Sequence, residues 1–528
     1  MFSSVLFPFG NCDFVKNEPD FFRDLNLDQV LEPIFFAESD YGIQEYFYSP
    51  VSDEKTILYR QEILRDFENK DVFDLYDSFS RDIFKISSDI KAFVADYEGE
   101  NRENVNLISK GHMLFYAEQY VALIRGLIQG AEGCQIKSAG LREFNDFLRE
   151  YAESENFNNI IEDTCKIRAV FDEKEYCLMI KRGTFKVLKY NKEDDNCDEA
   201  RELFGRFIED DSTDYLHNFP DRLFSEHIEN KILTLLQKIY PKEFGLLDKF
   251  FSSYIDFVND TVVQFAREIR FFIGWHNFTL VMKENGLSFC YPEIVETASC
   301  QEKSSFQGVG ASGDEKSEKI FSSGFFDIAL AKKIKGNVVV NEFVLNEPER
   351  IIVITGPNQG GKTTFARALG QLFYFASLGL SVAGTSACLP VADKILTHFE
   401  RKENFSTQRG KLQDDVDRLH DVLSCATEKS LIIVNEIYAS TTLKDALKLG
   451  SFMMDDIAKL KSIAVVVTFM DELAGHGEET VSMMSNVKSD NSNERTFKII
   501  RRPPDGNAHA EFIAEKYGLT YEQIKGRL

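Results

Sequence analysis

The stretch "VITGPNQGGKTT", Val353 to Thr364, constrains this chain more than any other. It follows the apolar run "IIVI" and opens into a helix-forming segment, "TTFARALGQLFYFA". Gly356, Gly361, Lys362 and Thr363 satisfy the spacing GxxxxGK[ST], and a buried strand before with a helix after is the context in which that spacing cradles phosphate. Glycines let successive backbone N–H groups turn inward where a side chain would obstruct approach. The helix beginning near Lys362 aims its positive end at the same place. Lys362 adds a mobile cation for the β- and γ-phosphates, and the Thr363 hydroxyl can ligate Mg²⁺. The run Gly356, Pro357, Asn358, Gln359, Gly360, Gly361, Lys362, Thr363 and Thr364 is therefore expected to bind a nucleoside triphosphate.

Hydrolysis needs a second strand with an acidic end, and "KSLIIVNEIYAST" supplies one. Leu431 to Val434 read as a buried strand, followed by Asn435 and Glu436. Glu436 is placed to polarise an attacking water. An aspartate at 435 would hold the Mg²⁺ shell; the amide of Asn435 can still hydrogen-bond a metal-bound water but brings no charge, so metal affinity and turnover are expected to be weakened. A third strand, "SIAVVVTFMDEL", ends at Thr468. Phe469 and Met470 cannot hydrogen-bond, so sensing of a γ-phosphate would fall on Thr468 or on nothing.

The rest of the 528 residues is long enough for several domains, and 43% apolar content is compatible with well-filled cores. The aromatic content is almost all Phe and Tyr, which reads as aromatic-rich helix packing. A formal charge of −25 argues against a chain that by itself grips nucleic acid tightly, without excluding a local basic surface. Nine cysteines with no CxxC pair read as reduced, mostly buried thiols. The opening "MFSSVLFPFGNCDF" lacks a basic n-region, and no apolar run reaches membrane-spanning length. A soluble, cytoplasmic protein is expected.

Residues 1–296 read as a mainly helical domain, interrupted by "YCLMIKRGTFKVLKY" (Tyr176–Tyr190), a β-hairpin about Gly183. From Lys242 to Glu284, apolar residues from Leu247 to Phe272 recur every three or four positions. They predict either one lever-like helix of about 60 Å or two helices broken near Gly274. Residues 297–319 are Ser/Gly-rich and polar, a flexible loop. Residues 320–528 alternate short apolar strands with helices, the pattern of an α/β domain with a mostly parallel sheet.

At this point the residues resemble one family. "TGPNQGGKTTFARALGQLFYFASLGLSVAGTSACLPVADKILTHF" looks like the ATPase domain of the MutS mismatch-repair family, and "ATEKSLIIVNEI" matches its second motif apart from an Asp-to-Asn change. The terminal "DGNAHAEFIAEKYGLTYEQI" resembles its closing helix-turn-helix. Upstream, "YRQEILRDFE" and "AREIRFFIGWHNFTLVMKENGLSFCYPEI" resemble the helical core and returning lever, and the 176–190 hairpin falls where the family carries a clamp. The resemblance implies a P-loop NTPase of the ABC/MutS type that uses ATP and Mg²⁺ and works as a homodimer on DNA. Lys362 and Glu436 would be catalytic, Thr363 and Asn435 would serve the metal, and Phe343 would stack on adenine, with a buried core role as the alternative.

Three departures qualify this. The chain begins at the core, so a shortened architecture without mismatch-reading and connector domains is expected, and branched or unusual DNA rather than a mismatch. In "STQRGKLQDDVDRL" Gly410 stands at or near the family's trans-acting serine, leaving Ser406, Gly410 and Lys411 as candidates to reach across a dimer. Asn435 and Phe469 replace the usual Asp and His. Two other readings stay open: a nucleotide-gated scaffold with little hydrolysis, and an ATPase directed to RNA or a ribosomal surface.

Overall fold

The computed structural model describes all residues except 1, 9–13, 99–106, 182–183, 192–225, 296–318, 336, 358, 401–409, 439, 488–494, 505–524 and 526–528. The 297–318 loop, the Gly183 turn and the C-terminal helix-turn-helix lie outside the described residues. The chain forms two compact units. One comprises Met1–Phe2, Asp74–Gln135 and Glu143–Ala266; the other comprises Ser3–Phe73, Ile136–Arg142 and Arg267–Leu528. No helix among the described residues is long and apolar enough to cross a membrane.

The first unit is built from most of helices Lys70–Glu98 and Ala139–Glu153, together with Leu107–Glu132, Glu155–Asp172, Glu226–Ile239 and Pro241–Ser253. Its core uses the aromatic residues the composition suggested. Phe144 and Phe265 stack face to face at 3.4 Å, and Phe79 and Tyr76 approach Phe265 from the side. The buried Tyr76 hydroxyl donates to Asn145 Oδ1 at 3.0 Å, so the polar end of that ring is satisfied. The hairpin forms as expected: β1 (Tyr176–Lys181) pairs antiparallel with β2 (Thr184–Lys189). One of its faces, through Leu178, Phe185 and Val187, packs with Phe171, Leu236 and Phe244.

The single helix over 242–284 is not formed. Pro241–Ser253 and Asp260–Glu284 are separate helices, parted at residues 254–259 rather than at Gly274. The stop is a capping event: Asn259 Oδ1 accepts from the backbone N–H groups of Thr261 (2.9 Å) and Val262 (3.3 Å), satisfying donors that a continuing helix would have bonded internally. Gly274 sits inside the second helix for a different reason. A Cβ there would lie 2.8 Å from Ile34 Cγ2, so glycine admits the N-terminal segment.

The second unit centres on a six-stranded sheet in the order β10 (Ile395–His398), β11 (Leu431–Asn435), β12 (Ile463–Val467), β7 (Ile351–Thr355), β13 (Thr480–Val487), β14 (Arg495–Arg501). All neighbours are parallel except the β13–β14 pair. Strands β7, β11 and β12 are buried at every position, the signature of a parallel sheet covered on both faces. A smaller sheet runs β4 (Glu293–Val295), β9 (Ser386–Pro390), β5 (Ile320–Phe325), β6 (Asn341–Leu345), and β3 (Phe289–Cys290) pairs with β8 (Val382–Ala383). The first seventy residues pack here too, so residues 1–296 are not a unit of their own. From the helix Lys362–Ser377, Arg367 donates to Asp24 O (2.9 Å), Gln371 to Leu25 O (2.9 Å) and Tyr374 to Phe47 O.

Candidate functional site

The strand β7 delivers the glycine-rich run to the carboxyl edge of the parallel sheet, where α/β folds bind ligands. The backbone takes φ of +111° at Gly356 and +91° at Gly361, left-handed values that a side chain would strain. Gly361 caps the helix Lys362–Ser377, whose orphan N–H groups therefore open onto the loop. Ser485 of β13 braces the loop, its Oγ donating to Gly360 O at 2.9 Å. Lys362 folds back and donates to Gly356 O at 2.6 Å. Burial pulls the Lys362 ammonium below its usual range, against the opposing pull of the Glu436 and Asp471 carboxylates. The ammonium therefore stands ready to gain from an anion.

One strand, β12, separates β7 from β11, and β11 brings Asn435 and Glu436 to the same edge. Thr363 Oγ1 donates to Asn435 Oδ1 at 2.9 Å, joining the head of the helix to the end of β11. Glu436 lines a cavity of about 510 Å³ together with Gln359, Gly361, Lys362, Thr363 and Thr364. Asn358 lies outside the described residues, and Gly356, Pro357 and Gly360 belong to the loop without lining the cavity. Thr468 is buried, and its hydroxyl accepts from Met470 N at 3.0 Å; Phe469 beside it is half exposed.

The rest of the cavity lining is mostly apolar, with Asn337 and Asn341 among it. Phe343 does not line it. β6 alternates buried and exposed residues, which turns Phe343 inward with Leu345, its ring 5.7 Å edge-on to Phe325. That is the core role left open as the alternative. The apolar part consists instead of Leu330, Ile334, Val338, Val339 and Phe497. Phe497, on β14, has φ of +56° and is 48% exposed, an uncommon combination for an aromatic residue. Its neighbours tie β14 to the valine run: Lys498 Nζ donates to Val340 O at 3.0 Å and Ile499 N to Asn341 Oδ1 at 2.8 Å. The available signal was the exposed apolar triplet "VVV" at 338–340 ahead of β6.

Of the residues proposed to reach across a dimer, Ser406 lies outside the described residues. Gly410 is the exposed N-cap of the helix Lys411–Cys425, and Lys411 pairs with Glu400 of its own chain. Among the described residues no group of three or more His, Cys, Asp or Glu could hold a metal ion. Thr363 and Asn435 offer only neutral oxygens. Such a donor set fits Mg²⁺ that arrives with phosphates and keeps its waters, not an all-protein cage.

A profile of the family "MutS domain V" matches residues 352–521. Over that segment the chain is similar to the MutS family. Among relatives, it is 27% identical over 216 residues to the DNA mismatch repair protein MutS of Thermotoga petrophila, covering 39% of this chain and 26% of that protein. To the DNA mismatch repair protein MutS of Thermotoga sp. strain RQ2 it is 27% identical over 201 residues, 37% of this chain and 24% of the relative. To that of Thermotoga maritima it is 26% identical over 201 residues, with the same coverage of 37% and 24%. The chain thus spans about a quarter of the length of the curated relatives it matches. The MutS domain V match contains the loop, the Asn435–Glu436 pair, Thr468 and Phe497.

Proposed function

We propose that this MutS-like chain binds ATP with Mg²⁺ at the cavity and hydrolyses it, as a dimer whose cycle gates binding of DNA in a repair role. The observation that carries the reading is the cavity itself, with Lys362 and Thr363 on one side and Glu436 beside them. The triphosphate would lie against the loop amides and the Lys362 ammonium. The apolar wall of Val338, Val339 and Phe497 would take the base. Mg²⁺, held from the Thr363 hydroxyl and through a water from Asn435, would neutralise charge on the β- and γ-phosphates. Glu436 would accept a proton from the attacking water. The hairpin β1–β2 would be the clamp element, and Ser406, Gly410 and Lys411 would complete the site of a second copy.

The test is Mg·ATP turnover of the wild type against Lys362→Ala and Glu436→Gln. Equal rates in all three remove the enzymatic reading. The dimer part is tested by whether ATP raises the mass in solution, and the DNA part by whether duplex, junction or structured RNA changes turnover.

One observation favours a second reading, a nucleotide-gated scaffold with little hydrolysis. The Thr363 hydroxyl is bonded to a neutral amide where an anion would ordinarily stand behind the metal. If the wild type is nearly silent and Asn435→Asp is many-fold faster, the scaffold reading holds.

A further inference from the structure

The backbone directly after β11 is unusual. Glu436 has φ of +54° and Tyr438 has φ of +62°, so two side-chain-bearing residues around Ile437 sit in the left-handed region. Such conformations are costly away from glycine and persist only where the surroundings hold them. Glu436 is half-buried and lines the cavity. Its N–H donates to Val467 O at 2.9 Å. For Tyr438 the hold is plain. Its ring is 3% exposed and belongs to the core that also contains Leu419, Met453, Met454 and Met470.

Leu412, Val416, Leu419 and Leu423 of that core all come from the helix Lys411–Cys425. The same helix places Asp415 in a buried position, 3.5 Å from His398 Nε2 at the end of β10. Burial first, and then the Asp415 carboxylate, push the Tyr438 phenol up to about 12, which is consistent with a neutral hydroxyl near that carboxylate.

We propose that Tyr438 is a positioning residue for Glu436. Its ring, locked in the core beneath the helix Lys411–Cys425, fixes the turn that points the Glu436 carboxylate into the cavity and makes that pose depend on where the helix lies. The helix begins at Gly410 and Lys411, two of the residues proposed to serve a second copy, so a partner that shifts the helix would also set Glu436. This inference rests on the ATPase reading above.

The experiment is steady-state Mg·ATP turnover and ATP affinity of the full chain for the wild type, Tyr438→Phe, Tyr438→Asn and Leu419→Ala, with Glu436→Gln as reference. Asparagine enters the left-handed region readily, so Tyr438→Asn keeps the backbone and removes the ring. The expected result is that Tyr438→Phe stays within about twofold of wild type, while Tyr438→Asn loses about tenfold or more in kcat with ATP Kd within about twofold. Leu419→Ala is expected to reproduce that split from the helix side. Wild-type turnover in Tyr438→Asn overturns the inference, as does loss of ATP affinity in parallel with kcat, which marks general damage. Unchanged kcat in Leu419→Ala overturns the dependence on the helix. A wild type no faster than Glu436→Gln overturns the ATPase reading and this inference with it, a failure visible before the Tyr438 variants are compared.

Discussion

The two walls of the cavity are made by different means. The loop-side lining comes from one short stretch of chain, Gln359 and Gly361–Thr364, plus Glu436, and it carries both charged side chains of the cavity, Lys362 and Glu436. The opposite wall is assembled from side chains of three separated segments, at Ile334, Val338–Val339 and Phe497. Under the proposed function, loop amides and the Lys362 ammonium would suit the phosphates that all nucleotides share. On the same reading, a mostly apolar lining would suit the base.

The contrast can be broken by experiment. Glu436→Gln should lower kcat by about 10²–10⁴ while leaving ATP affinity within about twofold, read by turnover and calorimetry. Lys362→Ala should weaken both ATP and inorganic tripolyphosphate by about 100-fold, roughly 2.7 kcal/mol, since both present the same charge. Phe497→Ala should weaken ATP by about tenfold and leave tripolyphosphate unchanged; equal losses for both ligands would erase the division between the walls. Asn435→Asp should lower the Mg²⁺ concentration needed for half-maximal ATP binding by a few-fold, about the gain of a charge-assisted contact. The smallest effect is expected away from both walls. Burial, aided by Lys283, lowers the His276 pKa to about 4 from the ordinary 6.5, so the ring is neutral when folded. Its contribution to stability is therefore complete above about pH 6.5 and is lost as pH falls towards 4. His276→Asn should flatten that part of a stability-versus-pH curve measured by denaturant unfolding.

The same contrast explains what was legible beforehand. The loop and the Asn435–Glu436 pair were readable because their geometry is local: glycine spacing dictates the backbone, and a strand end dictates where the next two residues point. The choice left open for Phe343 falls to the core role, which the alternation in "NEFVL" already favours by turning it inward with Leu345. Phe497 was invisible because its place beside Val339 depends on β14 lying against the segment before β6, a pairing distant in the chain. The break before Asp260 was missed for a smaller reason. Asn259 reads as one more polar residue on a helix until its side chain is seen capping two backbone donors. The hairpin and the parallel sheet, whose period-two and fully buried patterns are strong, came through intact.

The carbonyls of Asp24, Leu25 and Phe47 accept hydrogen bonds from Arg367, Gln371 and Tyr374, three side chains spaced along the helix that starts at Lys362. Any displacement of that helix would either drag the amino-terminal segment along or forfeit three contacts, each costing about 1–3 kcal/mol when left unmade in a buried setting. The early part of the chain is thus bolted along one flank of that helix, and a fragment cut to begin at Ile351 would leave the flank stripped.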